Sequence, residues 1–65
     1  NPLIFYKAII QFAVDNLKPN GELFFEINQY LGNETKELLM VSNFNEVELR
    51  KDLNNNYRML KGKKK

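Results

Sequence analysis

Two carboxylates stand four residues apart in the stretch Glu22-Leu23-Phe24-Phe25-Glu26. On a strand, positions separated by four share a face, which is the arrangement a paired-carboxylate acid–base site uses. The plainer reading is a pair of solvated or salt-bridged carboxylates on a sheet edge. Glu26 ends the apolar run, on the side where open α/β sheets bind ligands, so it is the one candidate for a supporting, non-catalytic neighbour of a site. A second concentration of charge is Lys61, Lys63, Lys64 and Lys65. Such a cluster can touch phosphate, but it reads first as a solvated, mobile terminus. No residue qualifies as catalytic, cofactor-binding or metal-binding.

The other side chains exclude more than they offer. The chain has no Cys and no His, so the usual zinc ligands are missing and no disulfide can staple the fold. Tyr6, Tyr30 and Tyr57 are too scattered for a base-stacking platform and are expected in the core or at its rim. Phe5 and Phe12 are expected in the core. Three of the positive charges behind the net +2 are the last three residues, which leaves a near-neutral body and argues against nucleic acid as a partner. Residues 2–17 are apolar-rich, but Lys7, Gln11, Asp15 and Asn16 interrupt them, and the stretch is too short and too polar to cross a membrane. No secretory signal is visible, and a cytoplasmic location is expected. The chain opens on Asn1-Pro2 rather than on Met, as a piece of something longer does.

Positioning these residues requires a set of elements that the sequence outlines. Asn1 is a good N-cap and Pro2 suits the first helical position, so a helix is expected at once. Its polar residues Lys7, Gln11, Asp15 and Lys18 fall in one narrow stripe, which leaves an apolar face wider than one small neighbour covers. Pro19 disfavours helix at Lys18, and Asn20-Gly21 supplies a tight turn with positive backbone angles. Residues 22–27 read as a strand in which Phe24 breaks the alternation, as if its second face were also covered near the middle. A second helix is expected over 30–42, with Leu31, Thr35, Leu38, Leu39 and Ser42 inward, Gly32 weakening its first turn and Asn43 closing it. Residues 46–50 alternate as a half-buried strand. After a loop at 52–56, residues 57–61 return as the second arm of a hairpin. Gly62 and the lysines are expected to be a tail.

The order helix, strand, helix, strand, strand resembles the end of a doubly wound sheet. The helix ending in Leu17-Lys18-Pro19-Asn20-Gly21, followed by an apolar strand, resembles the late part of class I S-adenosylmethionine-dependent methyltransferases. The finer resemblance is to the HemK/PrmC family, the glutamine methyltransferases of peptide chain release factors. Pro2-Leu3-Ile4-Phe5-Tyr6-Lys7-Ala8-Ile9 is similar to that family's entry to this helix. Gly21-Glu22-Leu23-Phe24-Phe25-Glu26-Ile27 is similar to its G-x-L-x-x-E-I strand. Asn43-Phe44-Asn45-Glu46-Val47 resembles its G-F-x-x-V, with Asn for Gly, and Lys51-Asp52-Leu53 with Arg58 resembles its closing hairpin. The pattern departs at Asn28, where many members have Gly, at Leu31, which precedes Gly32 in place of Gln, and at Tyr57, where Asp usually precedes the Arg.

The resemblance implies an α/β fragment of a Rossmann-like methyltransferase fold, with a mixed three-stranded sheet whose last strand lies antiparallel between the other two. Residues 1–62 would be the carboxyl-terminal portion of one domain and residues 63–65 a basic tail. It implies S-adenosylmethionine as cofactor and release factors as partners of the full-length protein. The family's Gly-rich cofactor loop and Asn-Pro-Pro-Tyr acceptor motif are absent from the sequence, so the fragment is expected to be inactive and prone to self-association. Two other readings remain open: a class I methyltransferase acting on a nucleic-acid base amine, and a stand-alone small α/β binding module.

Overall fold

The computed structural model describes residues 2–65. The chain forms helix α1 (Pro2–Asn16), strand β1 (Glu22–Glu26), a 3-10 turn (Gln29–Leu31), helix α2 (Gly32–Val41), strand β2 (Phe44–Lys51) and strand β3 (Tyr57–Lys64). Pro2 does open the first helix, while the cap expected of Asn1 lies outside the described residues. Along α1 the residues turned inward are Tyr6, Ile10 and Ala13, the i, i+4, i+7 spacing of a single helical face. They join Ile27, Leu39, Phe44 and Leu60 in one core. Thr35 is buried there too, and its hydroxyl donates to the Leu31 carbonyl at 2.7 Å.

The strand order is β1-β3-β2, with β3 antiparallel to both neighbours. The last strand thus lies between the other two, as expected. The sheet is not mixed, however: β1 and β2 run the same way but do not touch, so each hydrogen-bonded pair is antiparallel. Both helices lie over the face that carries Phe25 and Leu60. The opposite face, with Glu22, Phe24, Glu26 and Glu48, is exposed.

The turns are made by asparagines. Asn20 and Asn43 take positive φ, 69° and 71°, the left-handed conformation in which Asn is among the least disfavoured side chains. Gly21 does not share it. Its lack of a side chain matters because a Cβ there would lie 2.9 Å from the Lys18 carbonyl oxygen. Glu46, at φ 50°, marks a bulge in β2, where the register to β3 shifts between Asn45 and Glu48.

Three expectations fail for nameable reasons. Gly62, Lys63 and Lys64 are not a tail but the end of β3, paired with Leu23, Glu22 and Phe44. Gly62 is buried, and a Cβ on it would stand 2.6 Å from Leu39 Cδ2. Phe5 and Phe12 are 63% and 70% exposed rather than in the core, because α1 meets the sheet through another face and no other described element covers that flank. Tyr30 is 80% exposed, since it sits on the outer side of the 3-10 turn that replaces the expected first turn of the second helix.

Candidate functional site

The carboxyl end of β1 is built by a short chain of hydrogen bonds. Tyr6, buried in α1 against Phe25 at 5.8 Å between ring centroids, points its hydroxyl at the loop after β1. The Asn28 N–H donates to that oxygen at 2.6 Å. Asn28 in turn accepts the Tyr30 N–H on its side-chain oxygen at 2.9 Å, capping the 3-10 turn. An Asn at the position where the resembled family often has Gly therefore holds this loop through its side chain.

Facing this loop is the β2–β3 connection, organised by one carboxylate. Asp52 Oδ1 accepts the N–H groups of Asn54 at 2.8 Å and Asn56 at 3.0 Å, and Oδ2 accepts from Arg58 Nε at 3.0 Å. These donors, the Asn56 N–H foremost, outweigh partial desolvation and hold the Asp52 carboxyl below its ordinary value. Asn55 takes φ 65° to close the turn. Between the two loops lies an open cavity of about 330 Å³ lined by Gln29, Tyr30, Lys51, Asn55, Asn56 and Tyr57. The Lys51 ammonium sits 5.0 Å from the Tyr57 ring centroid. Gln29 Oε1 is buried and has no hydrogen-bond partner among the described residues.

Glu26 ends β1 on the uncovered face, in register with Met59. Glu22 shares that face, but four residues of strand put the two roughly 13 Å apart at the usual rise per residue, too far to share a proton. Phe24 lies between them under two cations, Lys61 at 5.8 Å and Arg50 at 5.9 Å from the ring centroid. Of the lysines expected to be a solvated terminus, Lys61, Lys63 and Lys64 are instead engaged by their side chains. Lys63 pairs with Glu46 at 3.1 Å, and Lys64 Nζ donates to the carbonyls of Val14 and of Leu17, the latter at 2.8 Å. Among the described residues there is no cluster of metal-ligating side chains and no helix long and apolar enough to cross a membrane.

The roles of Tyr6, Lys64 and Gly62 escaped the sequence reading, because each depends on a partner far along the chain. That of Asp52 did not have to: an Asp opening a run of asparagines is the composition of a side-chain-capped turn.

A protein named Release factor glutamine methyltransferase from Flavobacterium psychrophilum is 54% identical over 59 residues, covering 91% of this chain and 21% of that protein. One of the same name from Bacteroides thetaiotaomicron is 34% identical over 53 residues, covering 82% of this chain and 19% of that protein. The chain thus spans about a fifth of the length of these curated relatives. No family model and no solved structure matches it.

Proposed function

Because the chain belongs to the release factor glutamine methyltransferase family, we propose that it is the carboxyl-terminal part of such an enzyme's catalytic domain. The observation that carries the reading is 54% identity running through 91% of the chain. The antiparallel last strand between two strands that run the same way supports a Rossmann-like methyltransferase sheet, of which this piece is one flank. The complete protein then transfers a methyl group to the side-chain amide nitrogen of a glutamine in a release factor. S-adenosylmethionine, held by residues outside this chain, would supply that methyl group, and the amide nitrogen would release one proton.

This chain's own residues do not suit that cofactor. A phosphate- or ribose-cradling loop uses glycines whose backbone turns through positive φ. None of Gly21, Gly32 and Gly62 does so, and Gly62 is packed under Leu39. The segment is therefore inactive by itself. Glu26, at the carboxyl end of β1, is its supporting neighbour to a site whose reacting groups lie elsewhere in the protein.

Two features favour this over a stand-alone binding module. Ile4, Phe5 and Phe12 leave an apolar flank on α1 in water, and β1 is an edge strand with one row of backbone groups unpaired. Both are liabilities in a self-sufficient domain and ordinary features of a piece whose neighbours cover them.

The test is methyl transfer by the complete protein. With S-adenosylmethionine and a purified release factor, peptide mass spectrometry is expected to find one added methyl group on a glutamine. Methylation of a nucleic-acid base amine in its place would move the assignment to the other class I reading, and no transfer to either acceptor would overturn it.

A further inference from the structure

We propose that the cavity between the β1–α2 connection and the β2–β3 loop seats an uncharged peptide segment of the protein substrate. The proposal rests on the reading above that the acceptor belongs to a protein. Three of the six lining side chains, Gln29, Asn55 and Asn56, are carboxamides. A carboxamide carries both donor and acceptor and so matches a peptide group in either orientation. Two more, Tyr30 and Tyr57, are phenols, which give large contact area for few rotatable bonds.

The walls are set before any partner arrives. Tyr6 and Asn28 fix the backbone of one wall, and Asp52 fixes the other through Asn54, Asn56 and Arg58. Pre-set walls reduce the ordering that binding must supply. What is left unsatisfied belongs to the cavity lining itself. The Tyr30 ring is 80% exposed although its backbone is held, and Gln29 Oε1 lacks a donor. The terminal torsion of Gln is soft, so a small rotation presents that oxygen to an entering N–H.

Charge decides between classes of partner. Lys51 is the one cation in the lining and lies over Tyr57, while the adjoining Asp52 and Arg58 neutralise each other at 3.0 Å. A nucleic-acid backbone calls for several unpaired cations, so the lining suits an uncharged peptide.

The test uses the complete protein and titration calorimetry with an unmodified release factor. Tyr30→Ala removes an exposed ring and Gln29→Leu removes the orphaned amide, neither of which supports the core. Each is expected to weaken release-factor binding by about ten-fold, the scale of a lost interface anchor, with affinity for S-adenosylmethionine and the melting temperature unchanged. Wild-type affinity in both variants would overturn the cavity proposal while leaving the function standing. A wild-type protein that binds no release factor would remove the functional reading and the cavity proposal together. Loss of affinity for single-stranded RNA in place of the release factor would also overturn the proposal.

Discussion

Two glycines separate what a residue's surroundings allow from what its type suggests. Gly32 opens α2 at φ −56° and ψ −51°, helical angles open to any residue. A Cβ there would meet Ile27, Leu49 and Tyr57 at 3.6 Å, ordinary contact. Gly32→Ala is therefore expected to stabilise the fold by about 0.5–1 kcal/mol, through the narrower unfolded ensemble. Gly62→Ala forces the buried Leu39 side chain to move and is expected to cost about 1–3 kcal/mol. Urea unfolding of the two variants checks both signs; equal effects would mean that Gly62 is not packed as described. Asp52 adds a pH dependence. Its folded pKa is depressed, so its contribution is fully present above the ordinary carboxylate value of 3.8 and is lost as pH falls through the lowered one. Asp52→Asn is expected to abolish that part of the acid dependence of the urea midpoint, with a loss of stability confined to the range above it.

At the scale of elements, α1 is finished by a residue from the far end of the chain. The helix has no basic residue in its last turn, and Lys64 supplies the cation by donating to carbonyls of Val14 and Leu17. A cation at a helix carboxyl terminus is favourable both as a hydrogen-bond donor and against the helix dipole. Lys64→Met keeps the aliphatic stem and is expected to cost about 1 kcal/mol. Amides of the last turn of α1 should exchange faster in that variant, and unchanged exchange there would refute the cap. The same residue shows where sequence reading stops. The strands at 46–50 and 57–61 and the loop at 52–56 between them are legible from alternation and from Asp52 with its asparagines, but a Gly followed by lysines has low strand propensity. What makes residues 62–64 a strand is pairing with Leu23, Glu22 and Phe44, which no local pattern displays. Likewise the polar stripe of α1 showed how wide its apolar face is, not which part the sheet takes. Phe5 and Phe12 were therefore assigned to a core that Tyr6, Ile10 and Ala13 occupy. The sequence puts Glu26 at the carboxyl end of its strand, where the structure has it, whereas the cavity lined by Gln29, Tyr30 and Asn56 depends on two loops meeting.

For the molecule as a whole, the unmatched surfaces are informative. Ile4, Phe5 and Phe12 on α1 and Phe24 on the sheet are exposed, and the free edge of β1 follows the strand order. The 65 residues taken alone are expected to self-associate, and sedimentation at rising concentration should show mass above the monomer. Phe12→Glu should reduce it, since a charge on the apolar flank opposes association. A monomer at every concentration would favour a self-sufficient module. Whether this chain is one flank of a larger methyltransferase sheet, as proposed, is decided by amide hydrogen exchange along β1 in the complete protein. Amides of β1 that do not bond to β3 should exchange slowly there and fast in the 65-residue chain, because a neighbouring strand covers them only in the whole domain. Equally fast exchange of those amides in both would contradict the account.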